Sequence, residues 1–121
     1  MLSLFNHYLF KPTNTMLIYN VTVNVENEVR DQWVHWMKTE HMPAVIATGY
    51  FTESKLYKVL VSEEQGTTYS AQYSCNNHDD LAQYKLHSAP LLQKEANDKF
   101  GGKFSAFRTN LELLYAYKIV V

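Results

Sequence analysis

Two stretches of the chain alternate between apolar and polar residues. Tyr19, Val21, Val23 and Val25 fall on one side of the first, with Asn20, Thr22 and Asn24 on the other. In the second, Tyr69, Ala71, Tyr73 and Cys75 share a side opposite Ser70, Gln72 and Ser74. A period of two marks a strand buried on one face, and these two segments read as the central strands of a sheet. Between them Val29, Trp33, Trp36, Met37 and Ala44 recur at about 100° per residue, the stripe of an amphipathic helix. Asn27 is placed to cap that helix, with Glu28 and Asp31 near its positive end. Pro43 disfavours helical geometry at Met42 and Gly49 can close the helix in a left-handed conformation, so a bend is expected near His41. Residues 50 to 61 and 67 to 75 are strand-like, and the SEEQG between them suits a hairpin. A second helix begins at Asn76 or Asn77 with Asp79 and Asp80 in its first turn. Leu81, Tyr84, Ser88, Leu91 and Leu92 lie on one side of it, and Gly101 and Gly102 stop it. From Lys103 onward Phe107, Thr109, Leu111, Leu113 and Tyr115 alternate with Ala106, Arg108, Asn110, Glu112 and Leu114, giving an edge or partner-binding strand that extends toward the YKIVV tail.

Strand, helix, strand, strand, helix, strand is the order of the split βαβ motif. The expected fold is therefore α+β: a ferredoxin-like βαββαβ sandwich with a four-stranded antiparallel sheet and, through right-handed crossovers, two helices on one face. The other face would carry Asn20, Thr22, Asn24, Ser70, Gln72 and Ser74. Leu60, Val61, Leu113 and Leu114 give the outer strands apolar residues on both sides, which invites pairing. A homodimer joined through the sheet faces answers both features.

The 121 residues suffice for one core, placed at 16–121. Met16 stands directly before the first strand, so residues 1–15 read as an upstream start or a loosely attached arm. Their apolar stretch is interrupted by Asn6 and His7 and preceded by no positive charge, which makes a poor signal peptide. A net charge of −1 supplies no basic field for nucleic acid. No run approaches the ~20 apolar residues of a membrane span. Cys75, the single cysteine, has no internal disulfide partner and fits a reducing cytoplasm.

Phosphate-cradling glycine loops, paired-cysteine zinc spacing, Gly-flanked nucleophilic serines and HExxH are all missing from the sequence. Glu40 is the least ordinary position, because it falls about 20° from Trp33 on the wheel and places a carboxylate in the apolar stripe. Such a group must pair with a cation or hold a proton at raised pKa, as functional carboxylates do. The structural alternative is a carboxylate reaching solvent, or an ion pair with Arg108. His41 and His87 each precede a proline, and antiparallel helices bring them to similar heights, as acid and base or as two metal ligands. Two histidines without a third ligand make a weak metal site, and structural or exposed histidine is the competing reading. Trp33 and Trp36 read as core anchors, Cys75 as a buried filler.

Taken together, LIYNVTVNV, EHMPAVIATGYF, TTYSAQYSC, HSAP and FGGKFSAFRT resemble a family of small bacterial proteins of unknown function over most of residues 16 to 114. The match is tightest at His41 with Pro43, Ala47-Thr48-Gly49, His87 with Ala89 and Pro90, and Phe107-Arg108-Thr109. The resemblance implies a ferredoxin-like fold akin to the dimeric α/β-barrel superfamily, hence a dimer with a pocket between helices and sheet. That superfamily spans cofactor-free oxygenases, isomerases, haem enzymes and ligand-sensing modules, so fold alone selects no chemistry. Two functions remain. One is a dimeric module binding a small ligand or a protein partner in the helix–sheet cleft, with no cofactor or metal. The other is a small cofactor-free enzyme of oxygenase or isomerase type acting on an aromatic or polyketide-like substrate, with Glu40, His41 or His87 as general base, Tyr84 as an orienting hydroxyl and Arg108 holding an anionic group. Convergence of at least three of these groups on a closed pocket separates the two.

Overall fold

A computed structural model describes residues 16–62 and 65–120. The arm expected at residues 1–15 lies outside them. Four strands, β1 (Leu17–Val25), β2 (Glu53–Lys58), β3 (Thr67–Cys75) and β4 (Phe104–Glu112), form one antiparallel sheet in the order β2-β3-β1-β4. β1 and β3 are central and pair along their whole length, from Leu17 opposite Cys75 to Val25 opposite Thr67. The helices α1 (Arg30–Trp36), α2 (Met42–Ala47), α3 (His78–His87) and α4 (Ala89–Phe100) complete the βαββαβ order.

The alternation in the central strands works as the pleat requires. Leu17, Tyr19, Val23 and Val25 of β1 and Tyr69, Ala71, Tyr73 and Cys75 of β3 are buried against Trp33, Trp36, Met37, Val45, Leu81, Tyr84, Leu92 and Phe100 of the helical layer. The opposite face is polar at its centre. Ser70 donates to Asn20 Oδ1 at 2.5 Å, Asn20 Nδ2 donates to Thr22 and Thr109 at 3.2 and 3.1 Å, and Asn24 Nδ2 donates to Thr68 at 3.2 Å. Asn20, Thr109 and Ser70 belong to three adjacent strands, so the network crosses the sheet.

Local chemistry departs from the sequence expectation at several points. Asn27 does not cap the first helix; its Oδ1 accepts from Thr67 Oγ1 at 2.9 Å and the residue opens a 3-10 turn, Asn27–Val29. The expected bend near His41 is instead a π-helical turn, Met37–His41, that joins α1 to α2 without a break, with Met42 N–H bonded to the Met37 carbonyl five residues back. Pro43 lacks an N–H, and a wider turn is one way a helix absorbs that loss. Gly49, at φ +86°, then ends α2 as anticipated. β2 is shorter than the segment read from sequence: Tyr50 and Phe51 leave the strand and join the core, Phe51 being 5% exposed. Gly66 closes the hairpin at φ +74°, where an added Cβ would come within 2.8 Å of the Val25 carbonyl oxygen.

The second helix begins where expected. Asn77 Oδ1 accepts from Asp80 N–H at 2.8 Å, capping α3. It is interrupted at Ser88, and Pro90 sits in the first turn of α4. The interruption re-aims the apolar stripe: Ala89 and Leu92 follow Leu81 and Tyr84 inward, while Leu91, expected inside, is 62% exposed.

Candidate functional site

Between the helical layer and the sheet lies a cavity of about 50 Å³, walled by β1, β3 and β4 on one side and by the α1–α2 helix and α4 on the other. That volume holds about one or two water molecules, far short of a haem. Most of its wall is apolar or aromatic, including Val21, Trp36, Ala71 and Ala106. The polar groups that reach it are few: His41, Tyr19, Tyr73, Tyr84, Gln93 and Arg108.

His41 arrives there because of the π turn. In a regular helix the stripe through Trp33 and Trp36 would continue at Glu40 and Ala44. One extra residue in the turn advances the phase by one, so His41 and Val45 take the inward positions. The imidazole stacks on Trp36, with centroids 4.7 Å apart and planes at 26°. Burial, reinforced by the Arg108 charge, lowers its pKa to about 4, so the ring is neutral at pH 7. Its Nδ1 is buried without a hydrogen-bond partner.

Tyr73, at the centre of β3, is 2% exposed, and its hydroxyl is the other buried side-chain atom left unpaired among the described residues. Tyr19 faces it across the β1–β3 ladder, with Tyr84 and Phe51 completing an aromatic cluster; ring centroids lie 6.3 Å apart for Tyr19 and Tyr73, 5.6 Å for Tyr19 and Tyr84, and 4.7 Å for Phe51 and Tyr84. Burial raises all three tyrosine pKa values, and the phenols stay protonated. The Arg108 charge opposes that rise at Tyr19, to which the guanidinium is hydrogen-bonded, and at Tyr84.

Of the residues singled out from sequence, His41, Tyr84 and Arg108 line this one cavity, and Glu40 and His87 do not. Glu40 is exposed rather than set in the apolar stripe, the π turn having rotated it onto an open surface depression shared with Glu95, Asp98 and Lys99, whose edge Trp36 and His41 also line. His87 is exposed on the flank of α3's last turn, because the chain turns at Ser88 and sends Ala89 inward in its place. The two histidines therefore share no groove. Among the described residues no group of three His, Cys, Asp or Glu side chains has the spacing to hold a metal ion. Cys75 is fully buried, and burial pushes its thiol pKa up, away from reactivity. Sequence reasoning treated Tyr19 and Tyr73 as plain core. The missed signal was two phenols on the buried side of paired central strands, since a buried tyrosine hydroxyl ordinarily requires a partner.

Residues 16–114 match the model of a family described as a domain of unknown function, DUF4286. This chain belongs to the DUF4286 family. No curated protein matches it. Solved structures similar to this DUF4286 chain include an EthD family protein from Bacillus halodurans, 11% identical with a TM-score of 0.58, covering 77% of this chain and 96% of that one. SnoaB, a cofactor-independent oxygenase from Streptomyces nogalater, is 10% identical with a TM-score of 0.59, over 84% of this chain and 95% of its own. A dimeric ferredoxin-like protein from an uncultured marine organism is 7% identical with a TM-score of 0.52, over 85% and 98%. At such identities the likeness establishes the ferredoxin-like fold of the DUF4286 chain and nothing of its chemistry.

Proposed function

We propose that the chain is a homodimeric module that binds a small molecule in the cavity between helices and sheet. One observation carries the reading: His41 Nδ1 and Tyr73 OH, both buried and both unpaired, line the same cavity. Leaving a buried polar atom unsatisfied costs about 1–3 kcal/mol, and a bound molecule that bonds to both removes two such costs together. The phenol offers a proton and the neutral imidazole presents a lone pair or an N–H according to its tautomer, so the complementary ligand accepts from the phenol and either accepts from or donates to the imidazole.

A second copy is the natural cover for the open sheet face. Phe107 and Leu111 on β4 stand 61% and 46% exposed beside the polar network, and the extended segment at 113–120 presents Leu114, Tyr115, Tyr117, Ile119 and Val120 to solvent. A flat face with a polar centre and an apolar margin is self-complementary about a two-fold axis. Two of the solved relatives are described as dimeric ferredoxin-like proteins. No helix among the described residues is long and apolar enough to cross a membrane. With its one cysteine buried and free, we place the module in the cytoplasm, with neither nucleic acid nor membrane as its partner.

The enzymatic alternative uses the same cavity, with His41, Tyr84 and Arg108 as its polar groups. Against His41 as general base stands its pKa of about 4, well below the near-neutral value that serves proton abstraction at pH 7. Three of the named groups line one cavity, as the enzymatic reading requires, but His41 is better suited to accept a hydrogen bond than to remove a proton, which favours binding over catalysis. Native mass spectrometry of freshly purified protein tests the proposal. We expect a dimer that releases a small molecule on denaturation; a bare monomer would contradict it.

A further inference from the structure

The cavity has an outer chamber. Tyr19, Gln93 and Arg108 line both the inner cavity and a vestibule of about 230 Å³ that adjoins it between α4 and β4, where Lys85, Ala89, Pro90 and Asn110 complete the wall. Two of those residues are cationic, and none of the described residues lining the vestibule is acidic. Lys85 Nζ lies 5.7 Å from the Tyr19 ring centroid, over the phenol that separates the chambers. Neither Lys85 nor Arg108 enters an ion pair among the described residues, although Arg30, Lys55, Lys94 and Lys103 each do. Two uncompensated cations at the mouth of an apolar chamber form an attractive field for an anion, and a guanidinium fork matches a carboxylate in shape.

Resting on the small-molecule reading above, we infer that the ligand is a small organic acid. Its carboxylate sits in the vestibule between Lys85 and Arg108, with the Gln93 and Asn110 carboxamides beside it. Its other end enters the inner cavity, where there is room for about two non-hydrogen atoms, the size of one carbonyl group, and where Tyr73 OH and His41 Nδ1 await a polar group. An oxo or hydroxy group a few carbons from the carboxylate meets both requirements. A neutral ligand would leave the cations without a counter-charge, and a plain fatty acid would leave the inner polar atoms unpaired.

Three probes separate these terms by NMR titration of the full chain: 4-oxopentanoate, its methyl ester and pentanoate. We expect 4-oxopentanoate to bind at least tenfold more tightly than either of the others. Arg108→Gln should abolish its advantage over the ester, and Tyr73→Phe should abolish its advantage over pentanoate. Arg108 is exposed and Tyr73→Phe keeps the ring, so both variants retain the fold. Equal binding of acid and ester, or an advantage that survives Arg108→Gln, would overturn the anion assignment while leaving a ligand cavity standing. Failure of all three probes to bind would overturn the cavity reading with it.

Discussion

At His41, burial and the Arg108 charge both oppose protonation, so the folded chain keeps the ring neutral down to about pH 4 whereas the unfolded chain takes up the proton near 6.5. A folded pKa depressed below the unfolded one means that the unfolded state binds more protons between those values, and stability falls as pH drops through that window. The difference corresponds to about 3 kcal/mol, present in full above pH 6.5 and lost by about pH 4. Urea denaturation from pH 4 to 7.5 should show this slope in the native sequence and a clearly shallower one in His41→Gln; parallel curves would place the ring in water. Glu40 makes the opposite case. Because the carboxylate is exposed, Glu40→Gln should change stability by less than about 0.5 kcal/mol; a loss above about 1 kcal/mol would restore the buried position that a uniform helix implies. Sequence alone favoured Glu40 over His41 for burial, since the helical wheel assumes a constant angle and the structure does not keep one.

The π turn at Met37–His41 is the element that decides the site, and it is also where sequence reading ran out. The strands were legible because a pleat enforces a period of two over every residue of Leu17–Val25 and Thr67–Cys75, with each inward side chain matched by its neighbour across the ladder. Helix phase is different: a single inserted residue shifts everything after it, and Pro43 signalled only that something gives way, not in which direction. The shift makes a quantitative prediction. Val45, 1% exposed, should lose about 2 kcal/mol on mutation to Ala, measured by denaturant titration, because a buried methyl pair leaves a void; a loss below about 0.5 kcal/mol would mean that the inward position belongs to Ala44. The β2–β3 hairpin offers a second test at this scale. Gly66 combines φ +74° with backbone contact to Val25, so Gly66→Ala should destabilise by more than about 1 kcal/mol, and a neutral result would show that the turn can relax.

At the scale of the molecule, the described residues leave one face of the sheet without a helix and one cavity with polar atoms unsatisfied, and the first is joined here to dimerisation and the second to a ligand. Fold class and strand order were legible in full, and three of the cavity's polar residues, His41, Tyr84 and Arg108, were named from sequence. A pocket between helices and sheet was expected from the resemblance, but its inner wall was not legible, because it includes strand tyrosines that sequence patterning counts as ordinary core. If the open face is the dimer contact, Phe107→Asp combined with Leu111→Asp should convert the dimer to a folded monomer in sedimentation analysis, since like charges would then face each other across a two-fold axis; an unchanged dimer would move the contact elsewhere. The most direct measurement is a high-resolution crystal structure of the freshly purified protein. The account predicts density larger than a water molecule in the inner cavity, within hydrogen-bond distance of both His41 Nδ1 and Tyr73 OH. A dry or water-filled cavity, or an Nδ1 bonded to another group of the protein, would contradict it.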